Sequence, residues 1–489
     1  MKRVSASYTT DQRFVPWLFS HIVSIYCILD VLWLTLVKGV WFNRKRRATS
    51  SSLYPPLVDT KRELYTNYIY FGTGIQECVE RVVVGAPTVI TRIVKPHANV
   101  RYGGNSNTHD ESTKCINVGP YNYLGYAGRS LVTEDTQVDS MVSTCCSVAE
   151  GGVASTQHAL ERELASFLNK EAALVFPMGW DTNVSVLPLL IDRETLVFSD
   201  EKNHSSIASG CKLARCKKLV CFKNADAADL DRCIREELYG GDQATAVTYS
   251  KIVIIVEGIY SMDGTMLAVR DFIRVKRRYN AYLYIDEAHS IGAVGFKGRG
   301  VCALSEATWQ KYTNEVDVLM GTFTKSFSSI GGYVAASNEV IRALTARCTN
   351  LLYDTALAPT SIAQIRGVLR ELLSGESSAV EQLDENTAYL RAELTKRGLD
   401  PMGDEASPVV PILTHTISRM THVARHCFEH GVAVVVAGYP ATDISSARIR
   451  LCVSASHTKE QLDRVVDVLE EAMKWNWRNL REIYRIHTS

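Results

Sequence analysis

Lys325 lies in the run Gly321-Thr322-Phe323-Thr324-Lys325-Ser326-Phe327, among hydroxyl side chains and directly after an apolar stretch, Val316 to Met320, that reads as a strand. A lysine at a strand end, with hydroxyls to hold a phosphate, is what a Schiff base to pyridoxal phosphate needs. Upstream, Asp286 and His289 stand three apart after the run Tyr282 to Ile285. A carboxylate there would keep a pyridinium nitrogen protonated and make the ring an electron sink, and His289 would hydrogen-bond the ring's phenolic oxygen. His204, after Ser199-Asp200-Glu201-Lys202-Asn203, would stack flat on the ring. Gly179-Trp180 opens a strand-to-helix turn whose backbone N–H groups suit a phosphate, together with Thr322 and Thr324. Taken singly, each has a plainer role: Asp286 as a helix cap, His204 as a surface histidine, Gly179 as a turn. Taken in chain order they form one constellation, with Lys325 also the general base at a substrate α-carbon.

The elements that must position these residues alternate between apolar runs and helices. Ala172–Phe176, Thr195–Phe198, Lys251–Val256, Tyr282–Ile285 and Val316–Met320 read as strands, and each is followed by glycine or polar residues. Open α/β sheets bind their ligands at that carboxyl edge. The run KIVIIV is what a strand buried on both faces looks like. His158–Leu168 is a helix with Leu160, Leu164, Phe167 and Leu168 on one face. After Pro359 the pattern changes: one amphipathic helix or two short ones over Glu376–Arg397, strands over Ser407–Leu413, Gly431–Val436 and Arg448–Val453, and a closing helix over Lys459–Trp475. The expected organisation is a membrane anchor with a basic flank (1–47), a linker and N-terminal arm (48–130), a large cofactor-binding α/β domain (131–360) and a small α+β domain (361–489).

With 489 residues, 46% of them hydrophobic, the chain can bury a sizeable core. Its 54 basic and 53 acidic residues leave a net charge of +1, which argues against nucleic acid as a partner. Its 13 cysteines include Cys145-Cys146 and the five-residue spacing Cys211, Cys216, Cys221. Neither arrangement matches a common zinc pattern, so reduced thiols and no metal are expected. Residues 14–42 are apolar enough to span about 30 Å of hydrocarbon. Trp17, Trp33 and Trp41 suit the interface, while Asp30 and Lys38 oppose insertion. Arg44-Lys45-Arg46-Arg47 would hold the following body in the cytosol. A helix lying flat in the interface remains open. The run exceeds the roughly 7–15 residues of a signal-peptide core and is too apolar for a transit peptide.

At NVGPYNYLGYA (117–127), SDEKNH (199–204), EGIYSMDG (257–264), YIDEAHSIGAVGFKGRGV (284–301), GTFTKSF (321–327), GGYVA (331–335) and RIRLCVSASHT (448–458) the chain resembles the α-oxoamine synthase family of fold-type I pyridoxal phosphate enzymes. GTFTKSF and LCVSASHT are most similar to the catalytic second subunit of its serine-using, membrane-bound members. The resemblance implies a large, mostly parallel sheet domain and a smaller α+β domain. It implies the roles above for Lys325, Asp286, His289, His204, Thr322 and Thr324, with Arg450 on the substrate carboxylate and Asn122 and Tyr123 also on the substrate side. The implied reaction condenses L-serine with a long-chain acyl-CoA, usually palmitoyl-CoA, with loss of CO2 to give 3-ketosphinganine. It also implies a related first subunit as heterodimer partner and a single N-terminal span in the endoplasmic reticulum membrane. A non-catalytic or regulatory subunit of the same complex, and a glycine-using synthase, are the alternatives. The chain departs from the family pattern at Val148, where an arginine is common, at Ser328, where glycine is usual, and at Trp180, where phenylalanine or tyrosine is usual.

Overall fold

The computed structural model describes residues 78–94, 112–132, 143–240 and 248–474, except 80, 154, 376, 440 and 444. The apolar stretch 14–42, its basic flank and the linker 48–60 lie outside these residues. Among the described residues no helix is long and apolar enough to cross a membrane.

In chain order the strands are β1 (Val82–Val84), β2 (Ile90–Val94), β3 (Ser112–Asn117), β4 (Ala172–Phe176), β5 (Thr195–Asp200), β6 (Lys218–Phe222), β7 (Lys251–Glu257), β8 (Tyr282–Asp286), β9 (Val318–Thr322), β10 (Gly332–Ala336), β11 (Val409–His415), β12 (Val432–Ala433), β13 (Val435–Ala437) and β14 (Ala447–Cys452). The α-helices are α1 (Ser155–Phe167), α2 (Gly179–Leu190), α3 (Ser205–Ala214), α4 (Ala227–Tyr239), α5 (Val269–Tyr279), α6 (Trp309–Glu315), α7 (Asn338–Arg347), α8 (Thr349–Tyr353), α9 (Pro359–Ser374), α10 (Ala379–Lys396), α11 (Ile417–Glu429) and α12 (Lys459–Met473).

A seven-stranded sheet in the order β4-β10-β9-β8-β7-β5-β6 forms the centre. Its strands are parallel except β10, which runs antiparallel to both β4 and β9. Every residue of β5, β8 after Tyr282, and β9 is buried. Burial on both faces is what the β-branched run in β7 requires, because helices cover both sides of a parallel sheet. Two apolar clusters follow: Phe198, Ile254, Leu283 and Phe272 lie on one face, and Val197, Ile255, Tyr284 and Met320 on the other.

The five sequence-predicted strands of this sheet are all present, each within a few residues of its expected bounds. Two more belong to it. β6 is an edge strand whose Lys218, Leu219 and Cys221 are exposed, so it carries no apolar run to betray it. β10 is the Gly-Tyr-Val-Ala-Ala segment just past Lys325. The C-terminal expectation of one strand over Gly431–Val436 is corrected: the chain breaks there at Val434 into β12 and β13. β12 pairs in parallel with β3, in a four-stranded sheet β1-β2-β3-β12, whereas β13 pairs with β14 in a three-stranded antiparallel sheet β11-β14-β13. The segment leading from β3 into Tyr121 is thereby tied to the C-terminal region, through Ile116 N–H to Gly431 O at 2.8 Å and Val118 N–H to Ala433 O at 3.1 Å.

Candidate active site

Parallel register places the ends of β7 and β8 side by side: Glu257 is the partner of Asp286, and Asp286 of Met320 on β9. Both carboxyls are buried at the sheet's carboxyl edge. Asp286 Oδ2 accepts from Asn183 Nδ2 at 2.8 Å, and Oδ1 from Ala288 N–H at 2.9 Å. Asn183 lies one turn beyond Gly179 on α2, and its carbonyl accepts the buried Tyr284 hydroxyl at 2.7 Å. The amide therefore holds Asp286 in one orientation. Burial, and then the neighbouring Asp286, push the Glu257 carboxyl well above its ordinary range. Glu257 accepts the backbone N–H of His204 and so ties β7 to the start of α3. His204 caps α3, its Nδ1 accepting Ser206 N–H at 3.3 Å and lying 2.7 Å from Ser206 Oγ. That fixes the plane of an imidazole that remains exposed on the site side.

His289 is buried, and its Nδ1 sits 2.9 Å from the Tyr123 hydroxyl. Burial, reinforced by Lys325 and Arg450, holds the imidazole neutral, far below its ordinary pKa. Burial also holds the Tyr123 phenol protonated. With the phenol donating to Nδ1, the imidazole carries its proton on Nε2, the free donor end of the ring. Burial lowers the pKa of the half-buried Lys325, while the charge of Asp286 opposes this and Arg450 adds to it. The Lys325 ammonium lies 5.5 Å from the centroid of the Tyr121 ring, and the Arg450 guanidinium 4.6 Å from it. Tyr121 also packs edge-on against His289, at 4.7 Å between centroids. Arg450 comes from β14, donates weakly to Ser261 O at 3.4 Å, and has a buried Nε with no hydrogen-bond partner.

Gly179 begins α2 at the end of β4. A methyl at its Cα would lie 2.6 Å from Thr322 Cγ2 and 3.1 Å from Thr322 Cβ. Gly332 of β10 is equally constrained, since a Cβ there would meet Thr182 Oγ1 at 2.5 Å and Gly179 Cα at 3.0 Å. Two glycines thus let the N-terminus of α2 settle onto Thr322, whose Oγ1 accepts from the exposed Thr324 at 3.2 Å. The Trp180 indole points outward and is 45% exposed, so only its backbone belongs to this cradle.

Lys325, Asp286, His289, His204, Arg450, Thr322 and Gly179 all sit at or beside this edge. Asn122 and Tyr123 are not exposed at this edge. Tyr123 is fully buried behind His289, and Asn122 is buried as a loop bracket, donating to Pro87 O at 3.3 Å and accepting from Ala127 N–H at 3.1 Å and Ser328 Oγ at 3.3 Å. Tyr121 is the tyrosine that faces Lys325 and Arg450. Side-chain direction in an irregular turn has no period to read, which is why Tyr121 escapes sequence reasoning. Asn183 was within reach: it lies four residues after Gly179, on the same helix face.

An open, mostly parallel sheet with a lysine on one strand end and a carboxylate on the next defines a fold-type I architecture. Residues 113–469 match the family Aminotransferase class I and II, to which the chain belongs. It is 36% identical over 442 residues to long chain base biosynthesis protein 2a of Oryza sativa subsp. japonica, covering 88% of this chain and 87% of that protein. It is 38% identical over 429 residues to serine palmitoyltransferase 3 of Caenorhabditis elegans, covering 86% and 82%. A solved serine palmitoyltransferase with its PLP internal aldimine shares the fold, with TM-score 0.71, 22% identity and coverage of 86% of this chain and 99% of that one. Within its class, the chain is a member of the serine palmitoyltransferase (long chain base biosynthesis protein 2) family.

Proposed function

We propose that this chain catalyses the pyridoxal phosphate-dependent condensation of L-serine with palmitoyl-CoA or a similar long-chain acyl-CoA, releasing CO2 and CoA and yielding 3-ketosphinganine. The observation that carries the reading is the convergence of Lys325, Asp286 and His289 on the ends of adjacent strands β9 and β8, within a chain 36% identical to a long chain base biosynthesis protein 2a and 38% identical to a serine palmitoyltransferase 3 over most of its length. The residues fit the cofactor. The α2 N-terminus, Thr322 and Thr324 would hold its phosphate, Asp286 would pair with its ring nitrogen, His289 would donate to its phenolic oxygen, and His204 would stack on its face. When bound, pyridoxal phosphate supplies the electron sink that stabilises negative charge at the substrate's α-carbon.

This chain's residues do the rest. Asn183 orients Asp286, whose charge would stabilise a protonated ring nitrogen. Lys325 anchors the cofactor, and its lowered pKa favours the neutral amine that takes the α-proton at Nζ. Arg450 presents a guanidinium to the serine carboxylate, and the Tyr121 ring packs against both that guanidinium and the lysine. The active body works beside a membrane, in our reading: residues 14–42 span or line the endoplasmic reticulum bilayer, and the body lies in the cytosol after Arg44–Arg47. A related first subunit completes a heterodimer. The exposed Met178, Trp180 and Ile330, adjoining Gly179 and Gly331, suit a partner's apolar face.

The test is to purify the chain with its partner, record the visible absorbance of lysine-bound cofactor, and follow labelled serine into lipid across acyl-CoA lengths. Lys325→Ala should lose both the band and turnover while keeping the wild-type far-UV circular dichroism. A band that survives in Lys325→Ala removes the lysine from the chemistry. A normal band with glycine, rather than serine, incorporated removes the substrate assignment.

A further inference from the structure

A second group of chemistry-bearing side chains lies on the C-terminal helices, away from the sheet edge. His426 and His430 are four residues apart at the end of α11, and Glu471 is in the last turn of α12. One ligand-capable atom from each lies within 4.8 Å of the other two. His426 Nε2 is 3.8 Å from a Glu471 carboxylate oxygen, is buried, and has no hydrogen-bond partner. The two imidazoles stack with centroids 4.1 Å apart and planes inclined by 24°. His430 Nδ1 is 2.8 Å from the carbonyl oxygen of His426. A carbonyl can only accept, so Nδ1 carries the proton and Nε2 holds the lone pair. This is the arrangement in which a backbone carbonyl fixes a metal-ligating histidine's tautomer. The Arg464 guanidinium of α12 reaches the His430 carbonyl at 3.5 Å, so the end of α11 already leans on α12.

We propose that His426, His430 and Glu471 form a surface site for a divalent transition-metal cation of the zinc type, bound by two imidazole nitrogens and one carboxylate oxygen. Tetrahedral Zn2+ at about 2.0–2.2 Å from each ligand brings the ligand atoms to about 3.3 Å from one another. His430 and Glu471 are exposed, so rotations of their side chains suffice to close on the ion. Water fills the fourth position. Two histidines one helical turn apart had no place in an expectation of no metal that rested on cysteine spacing, and the carboxylate arrives from a helix more than forty residues further along the chain. The ion would clamp α12 to the end of α11, and Gly431, the next residue, is bonded to β3.

The experiment is a Zn2+ titration of the full chain against a chromophoric chelator, with thiols blocked by prior alkylation so that exposed Cys145, Cys146 and Cys221 do not contribute. The wild type should take up one equivalent that His430→Ala and Glu471→Gln each weaken by 10-fold or more, and that the double variant loses. Zn2+ should also raise the wild-type thermal midpoint and leave that of the double variant unmoved. Both substituted side chains are exposed, so the fold should be unaffected, which circular dichroism checks. Equal stoichiometry and affinity in wild type and double variant overturn the site, as does the absence of a bound equivalent in the wild type.

Discussion

Gly179→Ala is the sharpest probe of the cofactor cradle, because two physical effects predict opposite signs. Gly179 is the first residue of α2 and is not among the residues of positive φ, so its backbone accepts alanine. On helix propensity alone, alanine should stabilise, by less than about 0.8–1 kcal/mol, the value for a helix interior, because Gly179 is the first helical residue. The packing says otherwise. The new methyl would sit 2.6 Å from Thr322 Cγ2, a distance that real side chains do not adopt, with Thr322 Cβ also at 3.1 Å. Thr322 is only 6% exposed and ends a central strand, so it has little room to retreat. Relief must come from lifting the start of α2 or displacing the Thr322 hydroxyl, and both withdraw groups from the phosphate. Forcing a methyl into a packed site costs about 1–3 kcal/mol, and each 1.4 kcal/mol is tenfold in affinity, so if the whole cost falls on the bound state pyridoxal phosphate should bind about 5- to 140-fold more weakly. The assay is titration of resolved apoprotein with pyridoxal phosphate, followed by absorbance. Thr322→Ser supplies the control: it removes Cγ2, keeps the hydroxyl, and leaves 3.1 Å as the nearest contact. The double variant should recover most of the lost affinity, a coupling of about 0.5–3 kcal/mol between touching residues. Wild-type affinity in Gly179→Ala, or a double variant no better than the single, would refute the close approach of α2 to β9 as the basis of the cradle.

Two other outcomes follow from buried polar groups. Asn183→Leu keeps the branched side-chain skeleton but strips Asp286 Oδ2 of a donor and the Tyr284 hydroxyl of its acceptor, at about 1–3 kcal/mol for each group left unpaired; cofactor affinity and kcat should both fall, and a variant with wild-type turnover would show that Asp286 is oriented by something else. Burial lowers the His457 pKa from 6.5 to about 4, its ring being held between Ser454 N–H and Asn117 O. The unfolded chain therefore takes up this proton first: the stabilisation is complete above pH 6.5, declines as the pH falls, and is fully lost below about 4. At one pH unit below the unfolded value the loss is about 1 kcal/mol, and at pH 4 about 3 kcal/mol. Urea midpoints across this window should fall with pH in the wild type and less steeply in His457→Asn.

What was legible in the chain divides along physical lines. β4, β5, β7, β8 and β9 showed themselves because burial on both faces demands unbroken apolar runs, and their chemistry showed because it lies just past each run. β6 and β10 did not: an edge strand needs no such run, and β10 is a short glycine-led segment whose direction is set by the antiparallel neighbours on either side. Lys325, Asp286, His289 and His204 could be named because each is anchored to a strand or helix end. Tyr121, Asn122 and Tyr123 could not be sorted among themselves, because facing in a turn depends on contacts such as Tyr123 with His289 that local sequence does not encode. The break of Gly431–Val436 into two strands of different sheets was also hidden, since an apolar run does not say which neighbour will claim each half.

The departure at Ser328 shows how a local rule is broken and compensated. Its φ is 47°, in the left-handed region where a side chain costs about 1–2 kcal/mol relative to glycine. The turn itself is built by Ser328 N–H bonding to Lys325 O at 3.0 Å, so the strain sits directly beside the lysine. What the serine gains is a bond that glycine cannot make, from its hydroxyl to Asn122 Oδ1 at 3.3 Å. That atom also receives Ala127 N–H, and so the Lys325 loop is tied to the Tyr121–Tyr126 loop through one amide. Val148 is a different case. It lies in a short turn where its backbone N–H meets Asp354 O at 3.2 Å, and its side chain enters none of the contacts around Lys325. Ser328, by contrast, acts on Lys325 through the backbone it shares with it.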